Sequence, residues 1–339
     1  MDLARAVAFA GMLLAHYVWA HRPGEPGWLL ALDAAADGRA APLFCVLLGL
    51  GAALLVAGGA PDAVLVRRGL ALFVLGQLVW PFVGRVYLIL PQYGVLLAAV
   101  PLLRRLSSRA LLAVAALAFV VPSVVAALLD GHRLRAGVQP TSYGQLLDVA
   151  AVGRVLLWTG AYPAVGWVGF VAVGLWLGRQ RLSDRTVQLR LLAGGIAVAL
   201  LQPLAAAVHA GLGGTDNLAA AGGLATLFDG RAHSNRTAWY VLGTATALAV
   251  IGLCLLVASH RFVLRPLVCL GQLALTAYLA HLLLGRLVVW DWNDDALPSV
   301  PVQLMVTFLV LATFVLLATL WRARFRRGPV EGLLRAVTR

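Results

Sequence analysis

Three ionisable side chains, Asp2, Arg5 and His16, lie in the first apolar run of the chain, MDLARAVAFAGMLLAH. Arg5 and His16 are eleven residues apart, which on an α-helix is almost three turns and a rise of about 16 Å, so both project from nearly the same face. An imidazole with an ordinary pKa of about 6.5 can take a proton from a hydroxyl or an amine near neutral pH. His16 is therefore a candidate catalytic base with Arg5 on its face. A buried histidine bonded to a neighbouring carbonyl is the alternative.

Other candidates carry charge, hydrogen-bonding groups or aromatic rings near predicted helix ends. The candidate substrate-binding residues are Arg39, Tyr93, Tyr162, Trp167, His233 and Ser234. Arg39 either anchors a loop by pairing with Asp33 and Asp37 or clamps a substrate carbonyl. The loop histidine and serine either line an acceptor pocket or are exposed, and the aromatic residues either form a pocket wall or only pack.

His281 lies deep in the apolar segment LTAYLAHLL. Its side chain needs a polar partner among neighbouring helices, so a helix-to-helix hydrogen bond is expected, with a proton relay as the alternative. The remaining histidines have no ligand spacing, so we predict no metal site. The chain also contains no Gly-x-Ser-x-Gly elbow, which argues against a serine hydrolase.

The composition is that of an integral membrane protein. Of 339 residues, 61% are hydrophobic and 12% are charged, more apolar surface than one water-soluble core can bury. The apolar runs are continuous and about 20 residues long, which fits membrane-crossing helices and excludes the alternating strands of a barrel. We expect a single all-α transmembrane domain over 1–339, with no soluble domain.

About ten spans are predicted, with an eleventh element open in the ambiguous stretch 144–160. The predicted spans are 3–20, 38–58, 66–84, 86–103, 109–129, 158–178, 190–212, 237–258, 264–285 and 300–321.

The arginines predict the orientation of these spans. Alternate loops together with Arg5 and the tail from Arg322 hold 18 of the 27 arginines and four acids, whereas the other loops hold nine arginines and ten acids. The positive-inside rule places the first set, and both termini, in the cytoplasm. The net charge of +13 is therefore a topology signal, and its dispersal over short loops argues against a nucleic-acid partner.

Six segments in order resemble a known superfamily. Asp-x-x-Arg followed by ten residues and His16 resembles the opening helix of the membrane acyltransferases, which include acyltransferase-3 proteins and heparan-α-glucosaminide N-acetyltransferase relatives. Segments 39–55, 87–105 and 160–179 are similar to later helices of that superfamily. Segments 232–256 and 264–284 resemble the C-terminal region of the bacterial DUF418 (YeiB-like) membrane proteins. We therefore divide the chain into an acyltransferase-like core, about 1–212, and a DUF418-like part, about 213–325.

The resemblance implies a multi-pass plasma (inner) membrane enzyme that passes an acyl group, often acetyl, from cytoplasmic acyl-CoA to a glycan or lipid-linked acceptor. It implies a catalytic role for His16, with Arg5 closing the same motif. Two arginine pairs at predicted cytoplasmic helix ends, Arg67 with Arg68 and Arg104 with Arg105, are candidates to hold the CoA phosphates, or else are topology anchors. A small-metabolite transporter and a non-catalytic membrane protein are the alternatives, and the oligomeric state is left open.

Overall fold

The computed structural model describes residues 1–18, 38–83, 86–128, 142–214, 223–260, 262–289 and 299–338, and in these ranges it is all-α without a β-strand. The continuous apolar runs form helices because a helix bonds its own backbone groups where no water can. The all-α part of the predicted fold class is confirmed, whereas the cytoplasmic position of the termini stays a prediction. Asp33 and Asp37, the expected partners of Arg39, lie outside the described residues.

Fourteen α-helices are named here in chain order. They are α1 (Asp2–Tyr17), α2 (Ala40–Ala57), α3 (Asp62–Val79), α4 (Leu90–Leu103), α5 (Ser108–Leu128), α6 (Val149–Arg154), α7 (Ala164–Leu177), α8 (Arg185–Ala199), α9 (Gln202–Gly211), α10 (Thr237–Leu256), α11 (Arg265–Gln272), α12 (Ala274–Leu284), α13 (Val300–Arg324) and α14 (Pro329–Val337). Short 3-10 or π segments lie at Trp80–Phe82, Gly144–Leu147, Val155–Thr159, Leu224–Phe228, Val257–His260 and Gly285–Val289.

Each predicted span coincides with a helix or a helix pair, but not all of them are long enough to cross a bilayer unaided. Six described helices are long and apolar enough, and eight if each of two bent pairs is one span. Those pairs are Val149–Thr159 with Ala164–Leu177, bent by 53°, and Arg265–Gln272 with Ala274–Leu287, bent by 79°. The two remaining predicted spans correspond to α1 and α4, which have 16 and 14 residues. A count of ten stays a prediction.

The core is formed by α7, which is buried along most of its length, and by α1, α2, α4 and α10, of which about half the residues are buried. Gly49 of α2 and Gly174 of α7 let these two helices cross closely. A Cβ on Gly49 would lie 2.2 Å from the Val171 carbonyl oxygen. By contrast, α13 is apolar but mostly exposed, since only 11% of its most apolar stretch of 18 residues is buried. An exposed apolar surface of this size is consistent with a lipid-facing helix.

Three contacts between helix-end segments can be compared with the predicted orientation, which itself stays a prediction. Arg104 donates hydrogen bonds to Asp62, and Arg179 donates to the Arg104 carbonyl oxygen. At the other end of the bundle, Asn235 donates to the Ala161 carbonyl oxygen. Each contact joins segments that the arginine count assigns to one side.

Candidate functional site

His16 lines a small cavity of about 40 Å³ near the end of α1. The same cavity is lined by Tyr87, Tyr162, His233 and Tyr278, which come from segments far apart in the sequence. The structure therefore brings the candidate base together with two predicted substrate-binding residues, Tyr162 and His233.

The His233 ring is enclosed by aromatic side chains. Ring centroids lie 5.7 Å away for Tyr162, 6.2 Å for Tyr87 and 6.2 Å for Trp239. The backbone of His233 is in the left-handed region, with φ of 55°, which is uncommon for a residue with a side chain and usually needs surrounding contacts to hold it.

Trp167, another predicted substrate-binding residue, contacts the loop that carries His233. Its indole nitrogen donates to the side-chain oxygen of Asn235 at 2.9 Å, and its ring meets Tyr162 edge to face at 4.9 Å. Because Trp167 does not line the small cavity, it supports the wall through Tyr162 and Asn235.

A larger cavity of about 420 Å³ lies on the side of the His16 chamber nearer to the N-terminus of α1. On α2 its walls extend from Phe44 to Leu55, eleven residues apart, which is about 16 Å along a helix. Three residues, Phe44, Ile89 and Tyr278, line both cavities. The two chambers are therefore adjacent and share a wall, and their combined reach covers most of the length of α1.

Polar groups of the large cavity are concentrated at the end remote from His16. Arg5 lies there and pairs with Asp2, whose other carboxylate oxygen accepts a hydrogen bond from Gln272 at 3.2 Å. Arg68 also lines the cavity, and its Nε has no hydrogen-bond partner among the described residues. The charge of Arg335 on α14 lies near that of Arg68. Arg335 does not line the cavity, whereas the carboxylate of Glu331 does. The guanidinium of Arg68 is therefore the group in this wall that would attract an anionic ligand.

Tyr93 lines the large cavity as well, with its hydroxyl beside the Cys45 thiol. The other arginines that were predicted to hold the CoA phosphates do not line this cavity. Arg104 makes two hydrogen bonds to Asp62, and Arg105 lies 3.8 Å from the same carboxylate. Arg67, Arg104 and Arg105 line neither cavity.

Arg39 and Ser234 are also held by the protein. Arg39 begins α2 and donates to Gln202 at 2.9 Å, and Ser234 donates to the Asp229 carbonyl oxygen at 3.0 Å. Neither residue lines a cavity. Arg39 connects the starts of α2 and α9, and Ser234 stabilises its own loop.

The loop before α10 contains an ion pair whose acid, Asp229, is buried. Arg231 donates to both carboxylate oxygens of Asp229, at 2.9 and 2.8 Å, and Asp229 is 2% exposed. Burial alone would raise the pKa of Asp229, but the hydrogen bonds and charge of Arg231 outweigh it and hold that pKa below its ordinary value. This pair stabilises the loop that carries His233.

Sequence reasoning missed the residues where the two chambers meet, and it missed Glu331. Phe44, Ile89 and Tyr278 are apolar or aromatic residues in apolar runs, so no sequence signal distinguishes them from packing residues. Glu331 had a signal, since it is the single acid in an arginine-rich tail. Among the described residues, no group of three His, Cys, Asp or Glu could hold a metal ion.

Within the described ranges, the chain is all-α, with six to eight candidate membrane spans and two adjoining cavities. Residues 183–339 match the family model described as "Protein of unknown function (DUF418)". This match confirms the DUF418 part of the resemblance and includes His233, His281 and Glu331, whereas His16 and Arg5 precede it. The chain has no match among curated proteins.

Proposed function

We propose that the protein is an integral membrane acyltransferase that moves a short acyl group, acetyl in the simplest case, from acyl-CoA to a hydroxyl or amine of a glycan or lipid-linked acceptor. One observation carries the proposal: a largely apolar cavity of about 420 Å³ extends from the guanidinium of Arg68, whose Nε has no hydrogen-bond partner among the described residues, to the wall of the chamber that contains His16. Its volume is in the range of small-molecule sites.

Acyl-CoA has anionic phosphates at one end and a thioester at the other, with a long arm between them. A cavity that is cationic at one end, apolar along its length and adjacent to an imidazole at the other matches that order. The CoA phosphates would bind Arg68, and the thioester would reach the boundary formed by Phe44, Ile89 and Tyr278. On the predicted topology, this donor enters from the cytoplasm.

His16 would act as the base in the transfer. As the acceptor oxygen or nitrogen attacks the thioester carbonyl, His16 takes its proton, the C–S bond breaks, and the proton passes to the departing CoA sulfur. The alternative is an acyl group carried briefly by His16, which gives ping-pong kinetics. His233 and Tyr162 line the same chamber and are placed to contact the acceptor.

The size of the small chamber favours a short acyl group. Its volume of about 40 Å³ is close to the share of roughly 30 Å³ that one water occupies in the liquid. An acetyl group, which has three heavy atoms, would enter such a space only with some movement of the walls, whereas a long chain would have to remain in the larger cavity.

The experiment is saturation binding of radiolabelled acetyl-CoA to the purified protein in nanodiscs. We expect saturable binding that Arg68→Ala weakens by about tenfold, the loss of one hydrogen-bonded charge contact. Arg104→Ala is the control, because Arg104 is held by Asp62 outside the cavity. Absence of saturable binding, or equal losses in both variants, would contradict the proposed donor site.

A transporter for a small metabolite is the second candidate, and the two bent helix pairs favour it. Helices broken within the membrane are typical of transporter substrate sites, and the bends here are 53° and 79°. Counterflow of a labelled solute in proteoliposomes, with no release of CoA from acetyl-CoA, would favour this function over acyl transfer.

A further inference from the structure

We infer that His281 is a positioning residue that sets the tautomer and orientation of the His16 ring. This inference rests on the proposed function of His16 as a base. His281 lies on α12, 265 positions along the chain from His16, and it is fully buried.

The two rings are in direct contact. Nδ1 of His16 lies 3.0 Å from Nε2 of His281, and the ring planes are nearly parallel, 21° apart, with a centroid distance of 5.3 Å. A separation of 3.0 Å between two ring nitrogens is a hydrogen bond only if one of them carries hydrogen and the other a lone pair.

The second nitrogen of His281 determines which one donates. Nδ1 of His281 is hydrogen-bonded to the carbonyl oxygen of Tyr278, about one turn earlier on α12. A carbonyl oxygen can only accept, so in the neutral ring Nδ1 of His281 carries the hydrogen and Nε2 carries the lone pair. Nδ1–H of His16 must therefore donate to His281, which leaves the lone pair of His16 on Nε2.

This tautomer is the one that a base needs if Nε2 is the reacting atom. When Nε2 of His16 takes a proton, its Nδ1–H becomes a cationic donor, and the bond to His281 strengthens because charge-assisted hydrogen bonds are the stronger kind. His281 thus stabilises the charged form of His16 without contacting the substrate.

The same geometry excludes a proton relay through His281. A relay would have to pass the proton from Nδ1 of His281 to the next group, and that group is the Tyr278 carbonyl oxygen of a peptide, which does not become a proton carrier. The hydrogen bond chain ends there, so its function is orientation.

Other contacts hold His281 still. Tyr17, which follows His16, donates its hydroxyl hydrogen to the His281 carbonyl oxygen at 2.9 Å, and Phe9 meets the His281 ring edge-on at 5.8 Å. Both residues belong to α1, so the helix that carries His16 also fixes the position of its partner. A ring locked in this way loses little freedom when it orients a base.

Substitutions can separate the two ring nitrogens of His281. A glutamine places an amide oxygen near the position of Nε2 and can still accept from His16, whereas an asparagine reaches only the position of Nδ1. We expect His281→Asn to lower kcat for acetyl transfer by about 100-fold, within the range for a general base, with the KM for acetyl-CoA unchanged. His281→Gln should restore kcat to within about tenfold of wild type. Equal kcat for His281→Asn and wild type would overturn the inference.

A second measurement does not depend on activity. Nitrogen NMR of the full chain, labelled at histidine in nanodiscs, reports which ring nitrogen carries hydrogen; His16→Gln identifies the His16 signals. We expect hydrogen on Nδ1 of His16 in wild type and a shift of population towards Nε2–H in His281→Leu. Hydrogen on Nε2 in wild type, or no change in His281→Leu, would overturn the inference. A wild-type protein with the expected tautomer but no acetyl transfer would instead remove the proposed function, so the two failures are distinguishable.

Discussion

Glu331 accepts a hydrogen bond from the hydroxyl of Thr276, and the same carboxylate accepts the backbone N–H groups of Leu275 at 2.8 Å and Thr276 at 3.0 Å. A residue of the C-terminal helix α14 therefore caps the first turn of α12, just after the 79° bend. Because α12 carries His281, this cap ties the C-terminal tail to the histidine pair.

Removal of this cap should destabilise the protein. Glu331→Ala leaves two helix N–H groups without their acceptor and should cost about 1 to 2 kcal/mol, and Glu331→Gln less, because its amide oxygen still accepts. Thermal unfolding in detergent measures the difference. The control is Leu333→Ala on the same helix, where the side chain is 64% exposed. Equal midpoints for Glu331→Ala and Leu333→Ala would show that the cap is unimportant.

Two adjacent glycines on α8 should respond oppositely to alanine. A Cβ on Gly195 would lie 2.5 Å from the Ala245 carbonyl oxygen of α10, whereas a Cβ on Gly194 meets nothing within 4 Å. We expect Gly195→Ala to destabilise by about 1 to 3 kcal/mol through overpacking. Gly194→Ala should be neutral or stabilising, since alanine favours the helix. If both variants unfold at the same temperature, the result would contradict the close packing of α8 against α10 at Gly195.

Ile89 should control passage between the two cavities, because it lines both. Ile89→Trp fills this boundary and should lower acetyl transfer by about 100-fold, the effect of misplacing reacting groups by about an ångström, while acetyl-CoA still binds. Ile89→Val is the size-conserving control and should transfer at nearly the wild-type rate. A folded Ile89→Trp protein with wild-type transfer would mean that the thioester does not cross this boundary.

The Asp229 to Arg231 pair predicts a loss of stability in acid. The pKa of Asp229 is lower in the folded protein than in the unfolded chain, so its stabilisation is present above the unfolded pKa of about 4 and is lost as the pH falls below it. The thermal midpoint measured from pH 7 to pH 3 should fall less steeply for Asp229→Asn than for wild type. Parallel curves would contradict a depressed pKa at this carboxyl.

The sequence predicted where helices form because apolar runs of membrane length have few other solutions. One bend was not predicted although the sequence contains its cause: Pro163 disfavours helix at the residue before it, and the chain breaks there between Thr159 and Ala164. The start of α4 at Leu90, later than expected, follows from Pro91 in its first turn.

The bend between α11 and α12 had no such signal. The residue at the break is Leu273 and not a proline. The turn there is stabilised by contacts with distant segments, since Glu331 caps α12 and Gly271 packs against the Asp2 backbone. Helical periodicity describes one helix at a time. It therefore placed Arg5 and His16 on one face but carried no information about the contact between His16 and His281.

The most direct test is transfer of label from radiolabelled acetyl-CoA to the lipid and glycan fraction of inverted membrane vesicles, with released CoA thiol measured in parallel. Vesicles come from cells that lack the gene and carry either wild type or His16→Ala, at equal amounts of folded protein. We predict label transfer and matched CoA release with wild type, and loss of both, by at least about 100-fold, with His16→Ala. Transfer by His16→Ala at the wild-type rate would contradict the central role of this imidazole.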